Sequence, residues 1–141
     1  MKIRSVVIFI AIGFPLLVLS ACERAGTSGG EKVIKSTKSG DTTITLSSAS
    51  GEIKSGENVL TIAFTDASGN PINVPSASLR FYMPAMGAMA EMNDVATLTT
   101  TNTPGKFSAR VDIEVGGSWE AMISFQGSRG TEHATMSVTA K

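Results

Sequence analysis

Met83, Met86, Met89 and Met92 stand at a strict spacing of three and account for four of the chain's seven methionines. A thioether is a soft, neutral sulfur donor suited to Cu(I), and unlike a thiolate it needs no deprotonation and is not consumed by disulfide formation. Pro84 and Gly87 inside the run disfavour a regular helix. On a polyproline-like or 3₁₀ path, a spacing of three lines one edge, so the four sulfurs would face one side and three could converge on one Cu(I) or Ag(I) ion. Methionine is also a flexible filler of cores and adaptable apolar contacts. Met83 continues the inward face of Leu79 and Phe81 and is divided between core and site, which leaves Met86, Met89 and Met92 as the more exposed set. Glu91 and Asp94 read as solvated loop charges that could help draw in a cation.

His133 is the only histidine. An imidazole would complete a Met/His site, yet it has no ligand-type residue two or four positions away and reads more simply as an exposed histidine. Met122 faces outward by alternation, Met136 inward, and Trp119 reads as a core anchor. Enzyme chemistry fails on supply: one histidine and one cysteine rule out Cys/His clusters and blue-copper ligation. No nucleophile elbow or phosphate-binding glycine loop frames the serines, and no carboxylates are placed as a working pair. A binding module, not an enzyme, is expected.

These residues need a scaffold and an address. Residues 1–21 have the layout of an export signal, with Lys2 and Arg4 ahead of a mostly apolar run from Val6 to Leu19, too short for a comfortable membrane span. Leu19-Ser20-Ala21-Cys22 resembles the bacterial lipobox, in which the cysteine is acylated. Lipidation also explains why an exported chain carries a single cysteine, Cys22. By the same resemblance, Glu23 in place of aspartate favours an outer-membrane anchor facing the periplasm. Cleavage leaves 120 residues, with ten basic against twelve acidic side chains. That is enough for one domain with a core, and it carries no basic stripe for nucleic acid.

Residues 22–41 are rich in Gly, Ser, Thr and Lys and read as a flexible tether, with a weak edge strand around 32–36 as the alternative. From residue 42 to 141, seven short segments alternate in polarity between turn signals: 42–48, 58–65, 78–83, 95–101, 107–113, 118–126 and 133–139. The expected fold is all-β, an immunoglobulin-like antiparallel β-sandwich of about seven strands.

Met83-Pro84-Ala85-Met86-Gly87-Ala88-Met89 with Glu91-Met92, then Pro104-Gly105-Lys106-Phe107, then Gly117-Ser118-Trp119, resemble in this order the YtkA-like domain family, whose relatives include FixH-like proteins and domains of periplasmic heavy-metal efflux components. Phe107 stands where tyrosine is common. The resemblance implies an immunoglobulin-like sandwich in the cell envelope, often in metal-handling contexts, and no established reaction. Two functions are expected: binding or relay of Cu(I) or Ag(I), with an efflux or oxidase-assembly protein as partner, or a methionine-rich apolar contact for a membrane or envelope protein.

Overall fold

Strict alternation of apolar and polar residues builds the scaffold, because each strand that buries one face must show the other to water. The computed structural model describes residues 30–141, which form nine strands: β1 (Lys32–Ser39), β2 (Thr42–Ser48), β3 (Gly56–Thr65), β4 (Ala77–Met83), β5 (Met92–Val95), β6 (Thr97–Thr100), β7 (Lys106–Ile113), β8 (Gly117–Gly127) and β9 (Gly130–Ala140). They form two antiparallel sheets in the orders β1-β2-β3-β7-β6 and β5-β4-β8-β9. Leaving β1 aside, this is the order of an immunoglobulin-like sandwich with one extra strand beside the β4-β8-β9 sheet. The expected export signal, Cys22 and the first part of the expected tether lie outside the described residues.

The inward rows are those that alternation predicts. Leu60, Ile62 and Phe64 of β3 meet Phe107, Ala109, Val111 and Ile113 of β7. From the other sheet come Leu79 and Phe81 of β4, Trp119, Ala121, Ile123 and Phe125 of β8, and Ala134, Met136 and Val138 of β9, all buried. Phe64 packs edge-on against Phe107 at 6.0 Å and obliquely against Phe125 at 4.9 Å, which joins the two sheets through one aromatic cluster.

Two features depart from the expected seven strands. The segment expected at 95–101 is two strands in different sheets: Val95 is exposed, Ala96 is buried with its N–H donating to the Leu79 carbonyl at 3.0 Å, and the chain crosses between sheets there. The tether, in turn, does not extend to residue 41, because residues 32–39 form the edge strand β1. Its low apolar content suits an edge, where only Ile34 packs partly against the core and Lys32, Lys35 and Lys38 stay exposed. Exposed lysines are a common guard against edge-to-edge association, and the register shift between Val33 and Lys35 adds a second irregularity.

Just ahead of β1, Glu31 reaches across the sheet. Its carboxylate lies 2.7 Å from the Lys106 ammonium and accepts the Thr61 hydroxyl at 2.8 Å. The Lys106 contact first, then the Thr61 bond, hold the Glu31 carboxyl below the usual carboxylate range. A carboxyl depressed in the folded state contributes stability above its unfolded pKa and loses it as pH falls through the folded value. E31Q should therefore flatten the acid limb of stability against pH, by less than about 1 kcal/mol because both partners are partly solvated. Hydrogen exchange of the β1 amides between neutral and acid pH checks it; equal acid sensitivity in native protein and E31Q would contradict it.

Candidate functional site

The methionine run is a β-hairpin. β4 and β5 pair Arg80 with Val95, Tyr82 with Asn93 and Met83 with Met92, and the same register carries on to Met86 opposite Met89. Met86 and Met89 exchange both backbone bonds, at 3.1 and 2.9 Å, around a two-residue turn of Gly87 and Ala88. Gly87 has φ +57° and no other residue type in the described chain has positive φ, the sign pattern of a type II′ turn, which matches the twist of a hairpin and favours glycine at its first central position.

This geometry overturns the expectation that the four sulfurs line one edge. Residues 84–85 and 90–91 are not strand, and the Met86–Met89 bridge stands apart from the β4–β5 ladder, so burial sorts the methionines into two pairs. Met83 and Met92 turn inward: Met83 is 2% exposed, and Met92 is partly buried against the core. Met86 and Met89 remain exposed, at 53% and 44%. Met92 thus leaves the exposed set, and the candidate site contracts to Met86 and Met89. Directly opposite residues in a hydrogen-bonded pair have Cα atoms about 5.5 Å apart and side chains on one face, so the two thioethers are held side by side.

Pro84 explains why the tip stands free. β4 pairs with β8 as far as Tyr82 opposite Glu120, and the next donor position would fall on Pro84, which has no N–H. Beyond that point the hairpin separates from β8 and leaves a groove of about 170 Å³ lined by Pro84, Met86, Ser118, Trp119, Glu120 and Ser137. Ser118, Glu120 and Ser137 were not foreseen as neighbours of the methionines; alternation places them outward, but only the ladder register brings them to the tip.

The acidic neighbours behave differently from one another. The Tyr82 hydroxyl donates to Glu91 at 3.2 Å across the hairpin, and that carboxylate, followed by partial desolvation, pushes the Tyr82 hydroxyl above its usual range. Asp94, expected as a solvated loop charge, is instead buried, and its carboxylate accepts the Glu114 N–H at 3.2 Å. It serves the junction between strands and not the tip.

His133 does not join the methionines. It is exposed on β9, accepts or donates a 2.8 Å bond with the Ser124 hydroxyl, and shares a cavity of about 510 Å³ with Arg80, Val95 and Met122. Its ladder partner Ser124 is four residues along β8 from Glu120, roughly 13 Å at about 3.3 Å per residue. Met122 is partly buried, with its sulfur 3.4 Å from the Arg80 guanidinium. Among the described residues, no three His, Cys, Asp or Glu side chains are grouped as metal ligands.

The hairpin also has a fixed place relative to the start of β1. Lys32 of β1 lies beside Gly51 in the β2–β3 loop, and that loop is tied to the end of β9 by the bonds Lys141 N–H to Ile53 and Ser55 N–H to Lys141. The hairpin projects from this same end, beside Gly117 at the start of β8.

A family model described as YtkA-like matches residues 36–124, from within β1 to within β8, and takes in the whole methionine hairpin. No curated protein and no solved structure matches the chain.

Proposed function

The chain belongs to the YtkA-like family, and from that premise we propose that it is an exported, lipid-anchored binding module that holds or relays Cu(I) or Ag(I) at the Met86–Met89 tip, serving metal tolerance, efflux or cuproenzyme assembly. The observation that carries this reading is the pair of half-exposed thioethers fixed opposite each other on a hydrogen-bonded turn. Soft d¹⁰ ions accept thioethers readily, and two neutral sulfurs leave coordination positions open to a donor or acceptor protein. Weak neutral ligation suits transfer more than storage. Glu91 and Glu120 near the tip supply negative charge without competing as soft ligands. An anchor at Cys22 would lead into β1 at the end from which the hairpin projects, and so favour an encounter with a partner at the membrane.

Titration with Cu(I) against a chromophoric chelator tests the reading. M86L/M89L should weaken Cu(I) binding at least tenfold, about 1.4 kcal/mol or more, whereas M92L should leave it within a factor of about two of the native protein. Equal competition by native protein and M86L/M89L would falsify it. One observation favours a second reading, an apolar contact for an envelope partner: Met86 forms one wall of the groove over Trp119 and Pro84. Leucine preserves an apolar contact but not thioether ligation, so the double variant would keep such a partner and lose the metal.

A further inference from the structure

The hairpin divides the methionines sharply by solvent access. Met83 and Met136 are 2% and 4% exposed, and Met92 packs partly against the core. Met122 is partly covered, and the Arg80 guanidinium 3.4 Å from its sulfur engages the lone pair and withdraws charge from it. Met86 and Met89 are the two methionines among the large apolar side chains exposed to solvent in the described residues. A thioether lone pair is a nucleophile toward electrophilic oxygen, and its reaction follows access to the sulfur.

We propose that Met86 and Met89 form a paired modification site, at which hypohalous acid converts both thioethers to sulfoxides ahead of the other described methionines. At each residue the sulfur lone pair attacks the oxygen of hypochlorous acid. The S–O bond forms as the O–Cl bond breaks, sulfur loses two electrons, chlorine leaves as chloride, and the hydroxyl proton passes to water. The tip tolerates the product, because the new S=O group points into solvent, whereas at Met83 or Met136 it would enter the apolar core without a donor. The second sulfur stays open after the first reacts, since the two side chains stand abreast on the exposed face. The turn itself is held by backbone bonds that the oxygen does not touch. Enzymatic reduction of the sulfoxides restores the thioethers, so the change is reversible.

The consequence for metal rests on the soft-metal reading. A sulfoxide presents a hard oxygen and a sulfur stripped of its most available lone pair, which disfavours Cu(I) and Ag(I). Oxidation of the tip would then close the site, and a bound ion would shield both sulfurs.

Limiting hypochlorous acid followed by digestion and residue-resolved mass spectrometry tests the assignment. In the native protein Met86 and Met89 should each gain one oxygen severalfold faster than Met83, Met92, Met122 and Met136. In denaturant all six should react alike. Even oxidation of the native protein, or Met92 or Met122 reacting first, overturns the proposal. M86L/M89L should lose the fast fraction and keep the slow one; a fast fraction that persists elsewhere also overturns it. Native protein oxidised at both residues should lose Cu(I) competition, and full retention refutes the closing of the site. If the untreated protein does not compete for Cu(I), the metal reading fails, while the order of oxidation still decides the modification site.

Discussion

Gly105→Ala should destabilise the domain by about 2–6 kcal/mol, adding left-handed strain of about 1–3 kcal/mol to overpacking of similar size. Gly105 is buried with φ +67°, and a β-carbon there would lie 2.0 Å from the Ile72 carbonyl oxygen and 3.1 Å from that of Phe64. Both obstacles are backbone, which no rotamer change removes. The same glycine accepts the Phe64 N–H at 2.8 Å, and Ile72 donates to the Phe64 carbonyl at 3.1 Å, so relief would have to part three bonded segments of chain. Gly87→Ala is the matched control: its φ is +57°, yet nothing lies within 4 Å of the added carbon. It should lose only the same conformational term, about 1–3 kcal/mol, without the collision. Urea denaturation of the two variants separates strain from collision, and equal losses would show that the collision at Gly105 is relieved.

The contrast also shows which parts of the site could be read from residue types. Thr103-Pro104-Gly105 announces a turn, and the structure adds why the glycine is irreplaceable: a neighbouring segment, Ile72, fills the space of its side chain. The inward rows of β3, β4, β7, β8 and β9 were legible because period-two alternation survives wherever one face is buried. β1 was legible only as the weaker alternative, a short edge strand around 32–36, since an edge strand needs few apolar residues and its lysines resemble a tether. The split at Ala96 was hidden because Val95 runs into the threonine-rich sequence after Ala96 as if in one strand, and only the pairing marks the crossing: Val95 sits opposite Arg80 of β4 and Thr97 opposite Arg110 of β7.

The methionine spacing is the more instructive case. Its regularity suggested a polyproline-like or 3₁₀ path, and the structure has a hairpin instead. Proline and glycine argue correctly against helix, but the hairpin does not show in residue types, because Pro84 and the short side chains of Ala85 and Ala90 obscure any strand signal between Met83 and Met92. Read about the Gly87-Ala88 turn, the spacing becomes a palindrome that gives one pair to the core and one to solvent. The inner pair helps to hold the base of the hairpin, and the outer pair is left exposed to solvent. A three-sulfur site built from this run would require Met92 to leave the core face it shares with Met83, at the expense of apolar burial.

Trp119→Ala should be as damaging as the change at Gly105, with a loss of about 3–5 kcal/mol measured by thermal or urea denaturation followed by circular dichroism. Trp119 is the chain's only tryptophan and is 1% exposed, and its indole N–H donates to the Val115 carbonyl at 3.1 Å. Alanine removes a large buried volume at the mouth of the groove under Met86 and leaves that carbonyl without its donor. Trp119→Phe keeps most of the volume and loses the bond, so a loss nearer 1–2 kcal/mol is expected. The phenylalanine variant bears on function as well. Met86 and Met89 are aligned by their own two backbone bonds, whereas Trp119 only floors the space beside them. If the tip binds Cu(I) through its paired sulfurs, W119F should be less stable yet compete for the ion as the native protein does. If the groove is instead the seat of an apolar partner, W119F should weaken that contact while M86L/M89L spares it. The two variants thus place the working surface on the sulfurs or on the groove floor.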